Sequence, residues 1–357
     1  MKFLFIVQGE GRGHLTQAIS LKDILTKNGH EVSAVMVGKN KQRELPDFFI
    51  KKMDSSVYRF ESPNFLPSPK QKRANVWKSG AYNIMRLPVY FKSILYIKKQ
   101  IKEHQVDAVI NFYDMLAGIT YFLFRIKPPH ISISHQNMFL HPEYVFPSNE
   151  SSAELSMLKL YTYITSLNAK KRIALAMKKT ENYSEKNIHI VPPLLRKEVL
   201  EIPITKGDYL HGYMLNSSYA DQIIEFQQSH PGIYMRFFWD KKGVKDVEVI
   251  NEYLSFYKLN DILFLESMAG CKAYATTAGF ESVCEAMYMG KPVLMVPSHI
   301  EQACNGHEAF LAGAGIVSED FDLEALIASA KEYKENLEFQ SWVKQAESYF
   351  INELIND

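Results

Sequence analysis

A chain of 357 residues, 46% of them hydrophobic, with a formal charge of +1, has the makings of a globular protein long enough for two cores. No apolar run approaches a membrane span, and the five consecutive apolar residues in the opening "MKFLFIV" are too few for a signal peptide, so that stretch reads as a buried first strand. Cys271, Cys284 and Cys304 are odd in number and lack metal-ligand spacing, which argues against a disulfide framework or a zinc site and points to a reducing compartment, the cytosol.

The small net charge hides an asymmetry. Residues 1–200 hold 30 Lys and Arg against 16 Asp and Glu, whereas residues 201–357 hold 11 against 24. Halves of opposite charge suggest two domains with different partners, or charge that simply holds the halves together.

Along the first half, short apolar runs predict strands over 2–7, 31–37, 107–112 and 130–134. Between them, helical patterns fall over 14–28, 88–104, 115–125 and 154–179. Around 188–203, "IHIVPPLLRKEVLEIPI" packs three prolines between two periodic regions and reads as an interdomain linker. Strands are then expected at 208–214, 232–238, 262–265, 272–276 and 292–296, and helices at 217–230, 280–289, 300–312 and 322–335. The tail 336–357 reads as one further helix. Alternation of this kind predicts α/β architecture, two doubly wound Rossmann-like domains facing a cleft. The boundaries expected are 1–197, 198–335 and a tail 336–357 that packs back on the first domain.

The chemistry begins at "QGEGRGHLTQA", residues 8–18, directly after the first strand. Glycines there let backbone N–H groups approach a phosphate or sugar, and the following helix start favours negative charge. A dinucleotide fingerprint fits poorly, because Gly9, Gly11 and Gly13 are spaced by two and His14 stands where the third glycine belongs. The ribose-binding acid is missing as well, since "VSAVMVGKN" ends in glycine and lysine, and NAD is not expected. The macrodipole at a helix start disfavours an imidazolium, which keeps His14 neutral and available as a base. A carboxylate usually fixes the tautomer of such a ring, and Asp114 falls at the same carboxyl edge of the sheet. The plain alternative is that His14 only caps its helix and Asp114 only starts the next one.

The segment 276–315, "TTAGFESVCEAMYMGKPVLMVPSHIEQACNGHEAFLAGAG", resembles the donor-binding segment of nucleotide-sugar glycosyltransferases with the GT-B fold. Gly279, Ser282, Glu285, Gly290-x-Pro292, Pro297, Glu301-Gln302 and Asn305 carry the likeness in order. "GEGRGHLTQA" matches the glycine-rich loop and base histidine of the same group, and "SHQN" at 134–137, with His135 and Asn137, is similar to a segment of its MurG-type branch. The resemblance implies that Gly279 and Phe280 through Ser282 open a helix whose N-terminus receives the diphosphate. It implies that Glu285, one turn deeper, accepts the ribose hydroxyls, and that Glu301 and Gln302 pair with hydroxyls of the sugar. UDP is favoured as the nucleotide by resemblance alone, and no cofactor beyond the nucleotide sugar is called for.

The chain also departs from its relatives. Plant-type members carry a histidine before the glycine where this chain has Thr277-Ala278, so Arg12 is the named candidate for an extra diphosphate contact, beside Gly11 and Gly13. The glycine-rich turn of the MurG branch is replaced by "MLNSSYA", in which Asn216 and Ser217 can bind phosphate, cap a helix, or both. Asp320 and Asp322 form an Asp-x-Asp pair, but Asp322 reads better as a helix N-cap, and no metal is expected.

The acceptor is less legible. In "PVYFKSILYIKKQIKEH", Tyr90, Ile94, Ile97 and Ile101 make a core stripe, while Phe91 and Leu95 project among Lys92, Lys98, Lys99 and Lys102. Residues 156–180 add six basic residues and no acid. Apolar side chains among lysines suit an anionic membrane surface and a lipid-linked acceptor, with solvated lysines beside core helices as the plain alternative. A nucleic acid could also suit a basic face, but no recognition motif supports one. The expected reaction is an inverting, metal-independent hexosyl transfer. The rivals are a nucleotide-sugar 2-epimerase or hydrolase on the same scaffold and a non-catalytic sugar-nucleotide-binding protein.

Overall fold

The computed structural model describes residues 1–9, 11–39, 45–63, 82–215, 217–239 and 245–356. Its first sheet is built on the apolar run at the start. "KFLFIV" is β1 (Lys2–Val7), and every residue after Lys2 is buried, as a strand covered on both faces must be. Around it lie β2 (Glu31–Lys39), β3 (Ser56–Glu61), β4 (Ala108–Phe112), β5 (His130–Ser134), β6 (Lys171–Leu175) and β7 (Ile188–Val191), in the order β3-β2-β1-β4-β5-β6-β7. All these pairs are parallel. Helix Leu87–His104 buries Tyr90, Ile94, Ile97 and Ile101 against Leu4, Ile6, Ala34 and Met36, so the predicted stripe is core.

A second sheet has β8 (Tyr209–Met214), β9 (Tyr234–Trp239), β10 (Val247–Val249), β11 (Leu254–Lys258), β12 (Ala273–Thr276), β13 (Val293–Met295) and β14 (Gly315–Val317). Its order is β10-β11-β9-β8-β12-β13-β14. β10 runs antiparallel to β11 at one edge, and the other pairs are parallel. Its core gathers Leu210, Phe237, Trp239, Phe256, Leu294 and Leu326.

In each sheet the strand order reverses beside the first strand, between β1 and β4 and between β8 and β12. Such a switch point leaves a crevice at the carboxyl ends of the strands, the usual ligand position of an open α/β sheet. Residues 8–14 and 113–114 follow the strands at the first switch point; 215–219 and 277–280 follow those at the second.

Contacts divide the chain into two units. The first comprises Met1–Tyr144, Ser151–Arg196 and the chain from Trp342 on; the second comprises Val145–Glu150 and Lys197–Ser341. The closing stretch is two helices, Leu337–Lys344 and Ala346–Ile355, not the single one expected. Within the first unit Trp342 Nε1 donates to Ala176 O at 3.0 Å, and Lys171 Nζ donates to Glu353 O at 2.8 Å and Oε2 at 3.2 Å. His189 Nδ1 lies 2.8 Å from the same carboxylate. Although burial opposes it, His189 and Lys171 hold the Glu353 carboxyl below its usual range.

Three other expectations are corrected. The helix predicted over 154–179 is helix Ser152–Thr165 followed by β6, because Asn168 turns left-handed (φ 52°) and 171–175 pair with β5 and β7. The supposed linker contains β7 and a short helix, Lys197–Glu201. The strand predicted at 262–265 is part of helix Asp261–Gly270, whose N-cap Asn260 accepts from the N–H groups of Ile262 and Leu263.

Candidate active site

In the first unit the glycines after β1 do different work. Gly9 passes so close to β2 that a Cβ would lie 2.0 Å from Gly38 O. Gly11 is the N-cap of helix Arg12–Lys27, with extended backbone (φ −119°), no side-chain cap and open space around it. Arg12 and Gly13 are half-buried in the first turn, and His14 is the third helical residue.

His14 is 7% exposed, and its Nδ1 lies 3.2 Å from Gln17 Oε1. Its ring sits 5.5 Å from that of Tyr113 and is nearly parallel (11°) to that of His135 at 6.5 Å. Burial lowers its pKa from 6.5 to about 4, against a smaller upward pull from the Gln17 bond, so the ring is neutral at pH 7. Tyr113, held at φ 62°, turns the chain after β4 and joins Thr162 through its hydroxyl at 2.9 Å.

Asp114 makes no hydrogen bond or ion pair with His14. Its Oδ2 accepts from Ser62 Oγ at 2.7 Å, and its Oδ1 accepts from Leu116 N at 2.9 Å as N-cap of helix Met115–Leu123. The carboxyl is fully buried, and burial raises it from 3.8 to about 6, opposed by the Ser62 and backbone bonds. The expected carboxylate partner of His14 is therefore corrected: Asp114 is turned to its own helix and to Ser62, and Gln17 meets the imidazole.

Asn137 is corrected as well. It is fully buried, and its Nδ2 donates to Ile173 O at 3.0 Å and Ser132 O at 3.3 Å, which braces β5 against β6. His135 opens the 3-10 helix His135–Leu140 and stays beside His14. Phe91, Leu95, Lys92, Lys98, Lys99 and Lys102 are all exposed on helix Leu87–His104. Lys98 Nζ lies over the Phe124 ring at 4.0 Å, and Lys99 is 3.6 Å from Glu103. No helix of the described residues is long and apolar enough to cross a membrane.

In the second unit β12 ends at Thr276, and Ala278 takes a left-handed turn (φ 57°) into Gly279, the N-cap of helix Phe280–Tyr288. A non-glycine residue in that region is strained, by about 1–3 kcal/mol. Asn305 Nδ2 braces the turn through Ala278 O at 3.4 Å. Thr277 and Phe280 are buried, and half-buried Ser282 donates to Gly279 O at 3.2 Å. Glu285 follows on the same helix with its side chain almost wholly buried. Glu301 and Gln302 begin helix Ile300–Leu311. The Gln302 amide oxygen accepts from Ser298 N at 2.9 Å and Oγ at 2.6 Å. Ser217 is exposed on a short 3-10 turn, and Asn216 lies outside the described residues.

Asp322 caps helix Leu323–Glu332 by accepting from Ala325 N at 2.9 Å, while Asp320 accepts from Gln222 at 3.0 Å. Among the described residues no group of three or more His, Cys, Asp or Glu is placed to hold a metal ion.

Several neighbours escaped the sequence reading. Gln17 stands three residues after His14 on one helix face, a spacing that signals contact. Ser62 carried no signal, because it follows a strand the pattern did not reveal. Tyr274 and Thr276 alternate along β12, and both are buried. Burial raises the Tyr274 phenol, with Ser282 and Thr276 opposing.

The family model of glycosyl transferase family 1 matches residues 1–330. A search of the curated proteins finds no match to the sequence. Among solved structures, UGT71G1 of Medicago truncatula, complexed with UDP-glucose, superposes with a TM-score of 0.65 at 16% identity over 100% of this chain and 98% of that one. UGT89C1 of Arabidopsis thaliana, complexed with UDP, gives 0.66 at 14% identity over 99% and 98%. The spinosyn rhamnosyltransferase SpnG with thymidine diphosphate gives 0.61 at 11% identity over the whole of both chains. At these identities the likeness establishes the fold, two α/β units of GT-B type, and the family match supplies the rest. The chain belongs to glycosyl transferase family 1 and is a nucleotide-sugar-dependent glycosyltransferase.

Proposed function

We propose that this glycosyltransferase moves a hexosyl group from a UDP-sugar to an acceptor hydroxyl, with inversion and without a metal. The observation that carries the reading is His14, a buried neutral imidazole in the first turn of a helix at the switch point of the first sheet. In this reading His14 takes the acceptor's proton as its oxygen attacks the anomeric carbon from the face opposite the leaving nucleoside diphosphate. The second unit holds the donor. The start of helix Phe280–Tyr288, with Thr277, Gly279, Ser282 and Ser217, stabilises the charge that develops on the diphosphate, and Gly11, Arg12 and Gly13 offer backbone N–H groups and a cation for phosphate at the helix start that carries His14. Glu285 takes the ribose, Glu301 and Gln302 the sugar, and Asn305 supports the turn at Ala278. Asp114 serves as the cap that holds Ser62 and the helix after β4 in place around the site.

We further propose a lipid-linked acceptor reached at an anionic membrane surface. Support comes from Phe91 and Leu95, 51% and 43% exposed among the exposed Lys92, Lys98, Lys99 and Lys102. Vesicles of anionic lipid should float the protein at low salt and release it at high salt; absence of salt-sensitive flotation removes the membrane role.

The catalytic reading is tested by two variants. His14→Ala should keep donor affinity, read by calorimetry with UDP-glucose, and lose about 10²–10⁴ in transfer. Glu285→Ala should weaken donor binding itself. Normal turnover by both overturns the assignment. A panel of nucleotide sugars scored for nucleotide release, with and without total lipid extract, identifies donor and acceptor and separates transfer from hydrolysis.

A further inference from the structure

Three residues compete to orient His14, and the geometry favours one that the resemblance does not supply. The Nδ1 atom lies 3.2 Å from Gln17 Oε1, and both side chains are buried, Gln17 fully. Asp114, the carboxylate expected there, is committed to Ser62 and Leu116 N, and His135 meets His14 only ring against ring. An amide oxygen can accept but not donate, so the bond requires a proton on Nδ1 and leaves the lone pair on Nε2. The rings of Tyr113 and His135 lie 5.5 Å and 6.5 Å from the imidazole, the second nearly parallel to it.

We propose that Gln17 is the positioning residue of His14, holding the imidazole as its Nδ1–H tautomer through a neutral amide in place of a carboxylate. The inference rests on His14 being the base of the proposed transfer, yet its geometric content can be checked without any substrate. A carboxylate orienter stabilises the imidazolium with a full charge as well as fixing the tautomer, whereas an amide fixes the tautomer and offers the imidazolium only a dipole. Gln17 therefore sets direction while raising basicity less than burial lowers it. The remote alternative, that the pair is a mere helix-surface contact at three-residue spacing, predicts no preference between the two ring nitrogens.

The test is long-range ¹H–¹⁵N spectroscopy of the full chain labelled on histidine, with His14 assigned by loss of its signals in His14→Ala. In the wild type the signals should report a protonated Nδ1. Gln17→Glu should raise the His14 titration midpoint by at least one pH unit, because a charge replaces the dipole. Gln17→Leu should release the ring to a mixture of tautomers, and Asp114→Asn should leave its midpoint in place. A wild-type ring protonated on Nε2, or a midpoint indifferent to Gln17→Glu, overturns the inference; the wild-type spectrum alone decides if a variant does not fold. If His14→Ala turns over normally while the spectra agree, the transfer mechanism fails and the positioning geometry stands.

Discussion

Gly9 and Gly11 are two residues apart, yet the structure gives them opposite reasons to be glycine. An Ala at Gly9 would put its Cβ 2.0 Å from Gly38 O and 3.2 Å from both Gly38 C and Val37 Cγ1. Ordinary contact needs more than 3 Å, so backbone must move by about 1 Å, and the obstacle is a strand held in register, Val7 opposite Val37. Overpacking against backbone falls at the upper end of the usual 1–3 kcal/mol. In a unit of this size that corresponds to a melting temperature lower by roughly 6–12 °C. Gly11→Ser meets no atom within 4 Å and keeps an extended φ. Its hydroxyl can cap the N–H groups of Gly13 or His14, so stability should hold or rise by a few tenths of a kcal/mol. The same hydroxyl occupies the donors that the proposed ligand needs, and nucleotide release from UDP-glucose should fall at least ~10-fold. Thermal unfolding and a release assay on the two variants check both halves. A Gly9→Ala protein as stable as wild type would refute the packing argument, and a fully active Gly11→Ser protein would remove the loop from the ligand site.

Acid should unfold the protein through its buried histidines. Burial lowers His14 and His130 from 6.5 to about 4 and His211 to about 3. A depressed folded pKa stabilises above the unfolded value and fails as pH falls, so each group forfeits about 3 kcal/mol between pH 6.5 and pH 4. Urea midpoints over that range should fall steeply, and a flat profile counts against this burial. His211→Phe, placed among Phe238, Phe264 and Tyr274, should flatten the loss in the second unit. Asp114 works the other way. Its folded pKa of about 6 lies above 3.8, so its contribution favours folding below about pH 4 and is lost as pH rises through 6. Asp114→Asn keeps a cap and removes a buried charge, and urea titration should show it more stable at pH 7 by on the order of 1–3 kcal/mol. Transfer should persist in a metal chelator; loss of turnover restored by manganese would reverse the metal-free reading.

The strands beside the first switch point were legible as apolar runs, "FLFIV" in β1 and, broken only by Asn111, "AVINF" in β4. The short edge strands of the second sheet were not. β10 and β14 have three residues each, mostly exposed, and acquire their character only from a neighbour's hydrogen bonds. "ILFL" at 262–265 reads as a strand by composition, but Asn260 caps it into a helix, and the true strand is the alternating "LSFYK" before it. At the site, His14 was visible because a histidine among glycines is unusual, and Gln17 could have been paired with it by spacing. Asn137 looked functional in one dimension. Its partner Ile173 O belongs to a strand 36 residues on, and no local pattern announces that bond.

The route of the chain between its units limits how the enzyme can be taken apart. The chain leaves the first unit at Tyr144, returns at Ser151, leaves again after Arg196 and comes home at Trp342. A fragment from Lys197 to Ser341 would carry nearly all of the second unit in one uninterrupted piece. The other half admits no such dissection. Cut at residue 330, where the family match ends, it would forfeit the indole under Ala176 and the Glu353 carboxylate beside Lys171. Any minimal version of that half must therefore be stitched to the chain from Trp342 on by a designed linker.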